Sequence, residues 1–267
     1  MISHQKNPPQ TVIFDVDGTL LDSVDEHARA WVDAFHGYGH RVCFEEVRRQ
    51  IGKGGDQLMP VFMTREEIDE YGEPLESERL RIMRDRYLPL IKPFRDVRAL
   101  LERVRADGKQ IALTSSATRD DLAAYKRIAN IEDLVDVETS SDDAKRSKPY
   151  PYIFQAALER LGGLAADHTI AVGDTPYDAE AAAKAGIRSI GLLCGVGRRK
   201  ILDGQAASRY TRILPNCWRS MESRRLPDRF MRGGVIRSPP LILQPPTRRK
   251  LPKQCDEPLK GPPSPKS

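Results

Sequence analysis

Short apolar runs and amphipathic stretches alternate along most of this chain. Thr11–Phe14, Gln110–Leu113, Val135–Val137, Thr169–Val172 and Ser189–Leu193 have the length and composition of buried β-strands. Val24–Phe35 places Val24, Ala28, Trp31 and Phe35 on one helical face. Val97–Ala106, which stops at Asp107-Gly108, also reads as a helix, as do Asp120–Ile128, Tyr152–Leu161 and Ala179–Ala185. Strands alternating with helices predict an α/β fold, a doubly wound parallel sheet covered on both faces. One stretch breaks the alternation. Thr64-Arg65-Glu66-Glu67 fits a capping box that starts a helix, and a further helix is predicted over Ser77–Leu90, closing at Pro93. Residues 23–92 are therefore predicted to be an inserted α-helical cap, and residues 11–22 plus 93–195 the core.

The candidate chemistry lies where strands end. Thr11–Phe14 runs directly into Asp15-Val16-Asp17-Gly18-Thr19. Side chains two apart in an extended segment point the same way. Asp15 and Asp17 are thus expected to reach one site at the strand's carboxyl end, where open α/β sheets bind ligands. An isolated Asp-x-Asp-Gly would read as an Asp-rich turn, but a second pair, Asp174 and Asp178 in Gly173-Asp174-Thr175-Pro176-Tyr177-Asp178, follows another buried strand. Two unit charges ~4 Å apart repel by about 4 kcal/mol at an effective dielectric of about 20. Four carboxylates together need a cation, and all-oxygen ligation favours Mg²⁺. Lys148, held extended before Pro149, offers an ammonium to both a phosphate and the aspartates. Thr114-Ser115-Ser116 ends a third strand in hydroxyls able to bond phosphate oxygens. Taken singly, Lys148 is a surface lysine and the hydroxyls are a polar loop.

Together and in this order, the four motifs resemble those of the haloacid dehalogenase (HAD-like) superfamily of phosphohydrolases, in the branch with a small helical cap after motif one. The resemblance covers residues 11–195 and implies a Rossmann-like HAD core, Mg²⁺ and a phospho-aspartyl intermediate. It implies Asp15 as nucleophile and Asp17 as general acid, then base. Lys148 and the motif-two hydroxyl, Ser115 in preference to Thr114, would stabilise phosphoryl charge, and Asp15, Asp17, Asp174 and Asp178 would serve the metal. The superfamily's dehalogenases lack a second motif-one aspartate, so Asp17 argues for phosphoryl chemistry. Within the cap, Ile51-Gly52-Lys53-Gly54-Gly55-Asp56 is a candidate lid loop with Lys53 meeting a substrate anion, although a plain turn fits equally well. The cap resembles those of phosphoglycolate and hexose-phosphate phosphatases. His27, followed by Ala30-Trp31, is similar to the histidine after motif one in β-phosphoglucomutases, which makes a phosphosugar mutase the alternative.

Charge changes the picture at one end. The chain holds 43 Lys and Arg against 38 Asp and Glu, a basic balance that ordinarily points to nucleic acid. Residues 196–267 contain 17 Lys and Arg, 5 Asp and Glu, and 11 of the 20 prolines, so the body is acidic. The expected partner is a small phosphorylated metabolite, with no nucleic acid and no membrane. Met1–Gln10 lacks an apolar signal core and no stretch is long enough to cross a bilayer, which predicts a cytoplasmic protein. The four cysteines show no Cys-x-x-Cys spacing and are expected to be incidental thiols. The tail, 196–267, shows neither helical nor strand period and is expected to be irregular or disordered. The family's usual Asp-Pro-x-x-Leu-Leu pattern is missing there. Shifting the codons of Asn216-Cys217-Trp218 by one base yields Leu-Leu for every synonymous choice, so we expect an out-of-frame translation from about Gly195 or Val196. A genuine basic, proline-rich binding tail on an inactive core is the other reading.

Overall fold

The computed structural model describes residues 9–163, 166–192 and 194–195. In chain order its elements are β1 (Thr11–Asp15), β2 (Leu21–Asp22), α1 (Val24–Gly37), α2 (Phe44–Arg48), α3 (Gly55–Leu58), α4 (Arg65–Ile82), β3 (Lys92–Pro93) and α5 (Val97–Ala106). Then follow β4 (Gln110–Thr114), α6 (Arg119–Ala129), β5 (Val137–Thr139), α7 (Tyr152–Arg160), β6 (Thr169–Gly173), α8 (Pro176–Lys184) and β7 (Arg188–Gly191). Five strands form a parallel sheet in the order β5-β4-β1-β6-β7. β1 is central and buried along its length, so its alternating side chains serve two cores. Val12 and Phe14 pack with Leu101 of α5 and Leu122 of α6. Ile13 packs on the other face with Phe154 of α7 and Ala181 of α8. The doubly wound expectation holds. Strand order reverses at β1, which sets the ligand-binding crevice at the carboxyl ends of β1 and its neighbours.

Residues 24–90 contribute helices and turns and no strand to either sheet. The capping box forms as predicted: the Thr64 hydroxyl accepts from the Glu67 N–H, and Glu67 accepts from the Thr64 N–H. The separate helix expected at Ser77 is instead the second half of α4, which breaks its geometry at Tyr71 (φ −143°, ψ 16°). Pro74 lies inside this helix and has no N–H to donate one turn back, which accounts for the break. A π-turn (Met83–Tyr87) and a 3-10 turn (Leu88–Leu90) complete the insert. Its two ends are joined by β2 and β3, an antiparallel pair with Leu21 opposite Pro93 and Asp22 opposite Lys92. Such short strands carry no readable period.

A strand boundary shifts. β5 begins at Val137, not Val135, because Asp136 bonds Ile111 through both its backbone N–H (2.9 Å) and its side chain (2.8 Å). Among the described residues Cys194 is a thiol, as expected. The predicted irregular tail, 196–267, lies outside the described residues. Among the described residues no helix is long and apolar enough to cross a membrane.

Candidate active site

Asp15 closes β1, Asp174 directly follows β6, and Asp178 lies in the first turn of α8; all three are buried. Their carboxylate oxygens come within 4.8 Å of one another. Lys148, also buried, donates from Nζ to Asp15 Oδ1 (2.5 Å) and to Asp178 Oδ1 (2.7 Å). The Thr19 hydroxyl lies 3.0 Å from Asp15 and 3.3 Å from Asp174 and ties the two strand ends together. A helix cap orients Asp178: its carboxylate accepts from the Thr175 N–H (3.1 Å) while the Thr175 hydroxyl accepts from the Asp178 N–H (3.2 Å). Gly18 adopts φ +79°, and a Cβ there would stand 2.5 Å from Asp174 Oδ2, so the motif-one turn needs glycine on both counts.

Three buried carboxylates face one ammonium. Burial, reinforced by Asp178 and Asp174, pushes the Asp15 carboxyl well above its usual range although Lys148 pulls it down. Burial depresses Lys148, but Asp15 and Asp178 outweigh it and hold the ammonium charged. The cluster therefore keeps excess negative charge. Hard oxygen donors at this spacing, carrying uncompensated charge, fit a small divalent cation such as Mg²⁺, held by Asp15, Asp174 and Asp178.

Asp17 is placed apart from that triad. Its carboxylate accepts from the Ser23 hydroxyl (2.7 Å) and meets His27 Nε2 at 2.9 Å. Burial raises its pKa, but His27 and Ser23 together bring it below the ordinary value. His27 Nε2 also lies 3.3 Å from the hydroxyl of Tyr125, on α6. The three motif-two candidates separate. Thr114 Oγ1 is buried without a hydrogen-bond partner among the described residues, the Ser115 hydroxyl lies 3.5 Å from Asp17, and the Ser116 hydroxyl reaches Gly52 O at 3.4 Å.

The candidate lid loop reaches the site. A pocket of about 40 Å³ is lined by Asp15, Asp17 and Lys148 on the core side and by Lys53, Trp31 and Arg79 on the insert side. Lys53 Nζ bonds Gln50 Oε1 (2.6 Å) and sits 4.7 Å from the centre of the Tyr177 ring. Arg79 was not foreseen. It lies on the buried stripe of α4 with Gly72, Leu75 and Ile82, and the legible signal was an arginine where the helical period calls for an apolar residue.

The family model described as haloacid dehalogenase-like hydrolase matches residues 9–186. The chain belongs to this family. The resemblance drawn from the four motifs is thereby borne out, as is the expectation of a hydrolase. Among relatives of this HAD-like hydrolase, the phosphorylated carbohydrates phosphatase of Thermotoga maritima is 30% identical over 185 residues, covering 68% of this chain and 83% of that protein. A phosphoglycolate phosphatase of Aliivibrio fischeri is 30% identical over 191 residues, covering 69% and 84%. In structure, a hydrolase from Pseudomonas syringae superposes with a TM-score of 0.63 at 25% identity, covering 72% of this chain and 86% of that one.

Proposed function

We propose that this HAD-like hydrolase is a Mg²⁺-dependent phosphatase of small phosphate monoesters, phosphoglycolate or sugar phosphates, working through a phospho-aspartyl intermediate. The observation that carries the reading is the Asp15–Lys148–Asp178 arrangement, with Asp174 beside it, at the edge of a small pocket. Asp15 attacks phosphorus in line, forming an acyl phosphate as the ester oxygen leaves. Lys148 balances charge on the phosphoryl oxygens and Ser115 donates to one of them, a role supported by its hydroxyl lying 3.5 Å from Asp17. When bound, Mg²⁺ would supply further charge neutralisation at the phosphoryl group.

Asp17 moves the protons. Its lowered pKa holds it as a carboxylate before substrate enters, and a phosphate dianion beside it raises the pKa by like-charge repulsion. It takes up a proton from solvent as substrate binds, gives that proton to the leaving oxygen, and afterwards accepts one from the water that splits the acyl phosphate. His27 and Ser23 fix its orientation. The insert, with the loop from Ile51 to Gly54 against the pocket, excludes bulk water.

The test is phosphate release from an aryl phosphate, 2-phosphoglycolate and a panel of hexose phosphates, with Mg²⁺ and with chelator. Chelation is expected to abolish turnover, and Asp15→Asn to lower it by about 10³-fold or more. Turnover surviving Asp15→Asn refutes the nucleophile assignment. The contact between His27 and Asp17 favours a second reading, a β-phosphoglucomutase-like mutase. That reading requires β-glucose 1-phosphate to become glucose 6-phosphate faster than free phosphate appears.

A further inference from the structure

Arg79 is buried in the insert, at the wall of the site, with one of its donors unmatched. It is 9% exposed, and its Nε–H is buried with no hydrogen-bond partner among the described residues. Its terminal NH2 comes to 3.8 Å from Glu76 Oε1, too long for a hydrogen bond. The guanidinium carbon lies 4.9 Å from the centre of the Trp31 ring, a cation–π contact. Burying a guanidinium with a donor left unpaired is costly. Glu76 balances its charge without engaging its donors at hydrogen-bond distance.

Its position shows what could complete them. Arg79, Gly54 and Ser116 line both the pocket of Asp15, Asp17 and Lys148 and an adjoining cleft of about 410 Å³. Arg79 thus borders the space into which the leaving group of a phosphate bound at Asp15 would extend. Lys53, the cation to which the sequence drew attention, is already committed to Gln50 and the Tyr177 ring. A rigid guanidinium fork matches a carboxylate or phosphate with two parallel hydrogen bonds, which a neutral hydroxyl cannot reproduce. We propose that Arg79 determines substrate choice by binding a second anionic oxygen group, carboxylate or phosphate, on the leaving group of a compact phosphate monoester. The proposal rests on the phosphatase reading for the site's orientation and deepens it.

The experiment compares the full-length wild type with Arg79→Met and Arg79→Lys on three probes: 2-phosphoglycolate, a short-chain bisphosphate, and ethyl phosphate, which has no second charge. Steady-state kinetics are paired with calorimetric binding of the same probes. The wild type should favour at least one doubly anionic probe over ethyl phosphate, the two anionic arms showing whether carboxylate or phosphate is read. Arg79→Met should raise KM and Kd for that probe about 10- to 100-fold while those for ethyl phosphate move less than about 3-fold. Arg79→Lys should recover part of the loss. Equal losses on all probes would mark Arg79 as merely structural and overturn the proposal, as would a wild type without preference. If no ester is hydrolysed, the phosphatase reading fails by itself. The calorimetric comparison still decides whether Arg79 selects a doubly anionic ligand.

Discussion

At the residue scale, Lys148 shows how tightly this site is balanced. Only 1% of its surface is exposed, and an ammonium so buried is tolerable because Asp15 and Asp178 lie at 2.5 and 2.7 Å. Replacing it with methionine leaves three buried carboxylates without their cation, so Lys148→Met should destabilise the fold by about 3 kcal/mol or more near neutral pH. The pH dependence has a definite sign. Asp15 is already raised above its unfolded value in the folded protein, and loss of Lys148 raises it further. A group with a raised folded pKa adds stability below that pKa and loses it as pH rises through it. The gap in Tm between wild type and Lys148→Met should therefore be wider at about pH 8 than at about pH 5, as thermal denaturation would show. A gap that widens on acidification would contradict this charge balance. The catalytic candidates were legible because each follows an apolar run or precedes a proline, where local geometry fixes direction. Arg79 was not, since its significance comes from what two separate elements place around it.

At the scale of elements, the loop between α2 and α3 is tied to the core by Tyr177, whose hydroxyl donates to Arg49 O at 3.0 Å, by Ser116, and most closely by Ser147. The Ser147 hydroxyl accepts from the Gly54 N–H at 2.9 Å and bonds Asp56, whose carboxylate also accepts from the Ser147 N–H at 3.2 Å. Ser147 directly precedes Lys148, so this contact lies next to the buried ammonium that bonds Asp15 and Asp178. Ser147→Ala should raise KM about 3- to 10-fold while kcat changes less, because the loop's seating is weakened and the carboxylates are untouched. Steady-state kinetics on the best substrate check it; unchanged KM would mean the loop is held elsewhere. The same scale explains what periodicity could and could not reveal. Strands such as β1 and β6 pack on both faces and leave a continuous apolar run. β2 and β3 owe their existence to each other, and the break in α4 to a proline three residues beyond it.

Over the whole molecule, an acidic catalytic body is joined to a strongly basic segment, and the family match ends at residue 186, shortly before the composition changes. We propose that residues from about Gly195 onward are translated out of frame. Among the described residues β7 pairs with β6 alone, and a restored frame would add the strand and helix the family resemblance implies. Sequencing the coding DNA against close relatives should reveal a single-base insertion or deletion. The frame-restored protein should melt several degrees higher, at about 2–4 °C per kcal/mol for a chain of this size. An intact frame, or equal melting, would end the proposal. The paired β2 and β3 carry a separate consequence. Because they adjoin, the insert departs from and rejoins the body about 5 Å apart. A polypeptide of different length and sequence can be spliced between those two points without disturbing the order of the large sheet. Asp15 and Lys148 stand on one side of that junction and Arg79 on the other. The half proposed to discriminate can thus be exchanged while the half proposed to react stays in place.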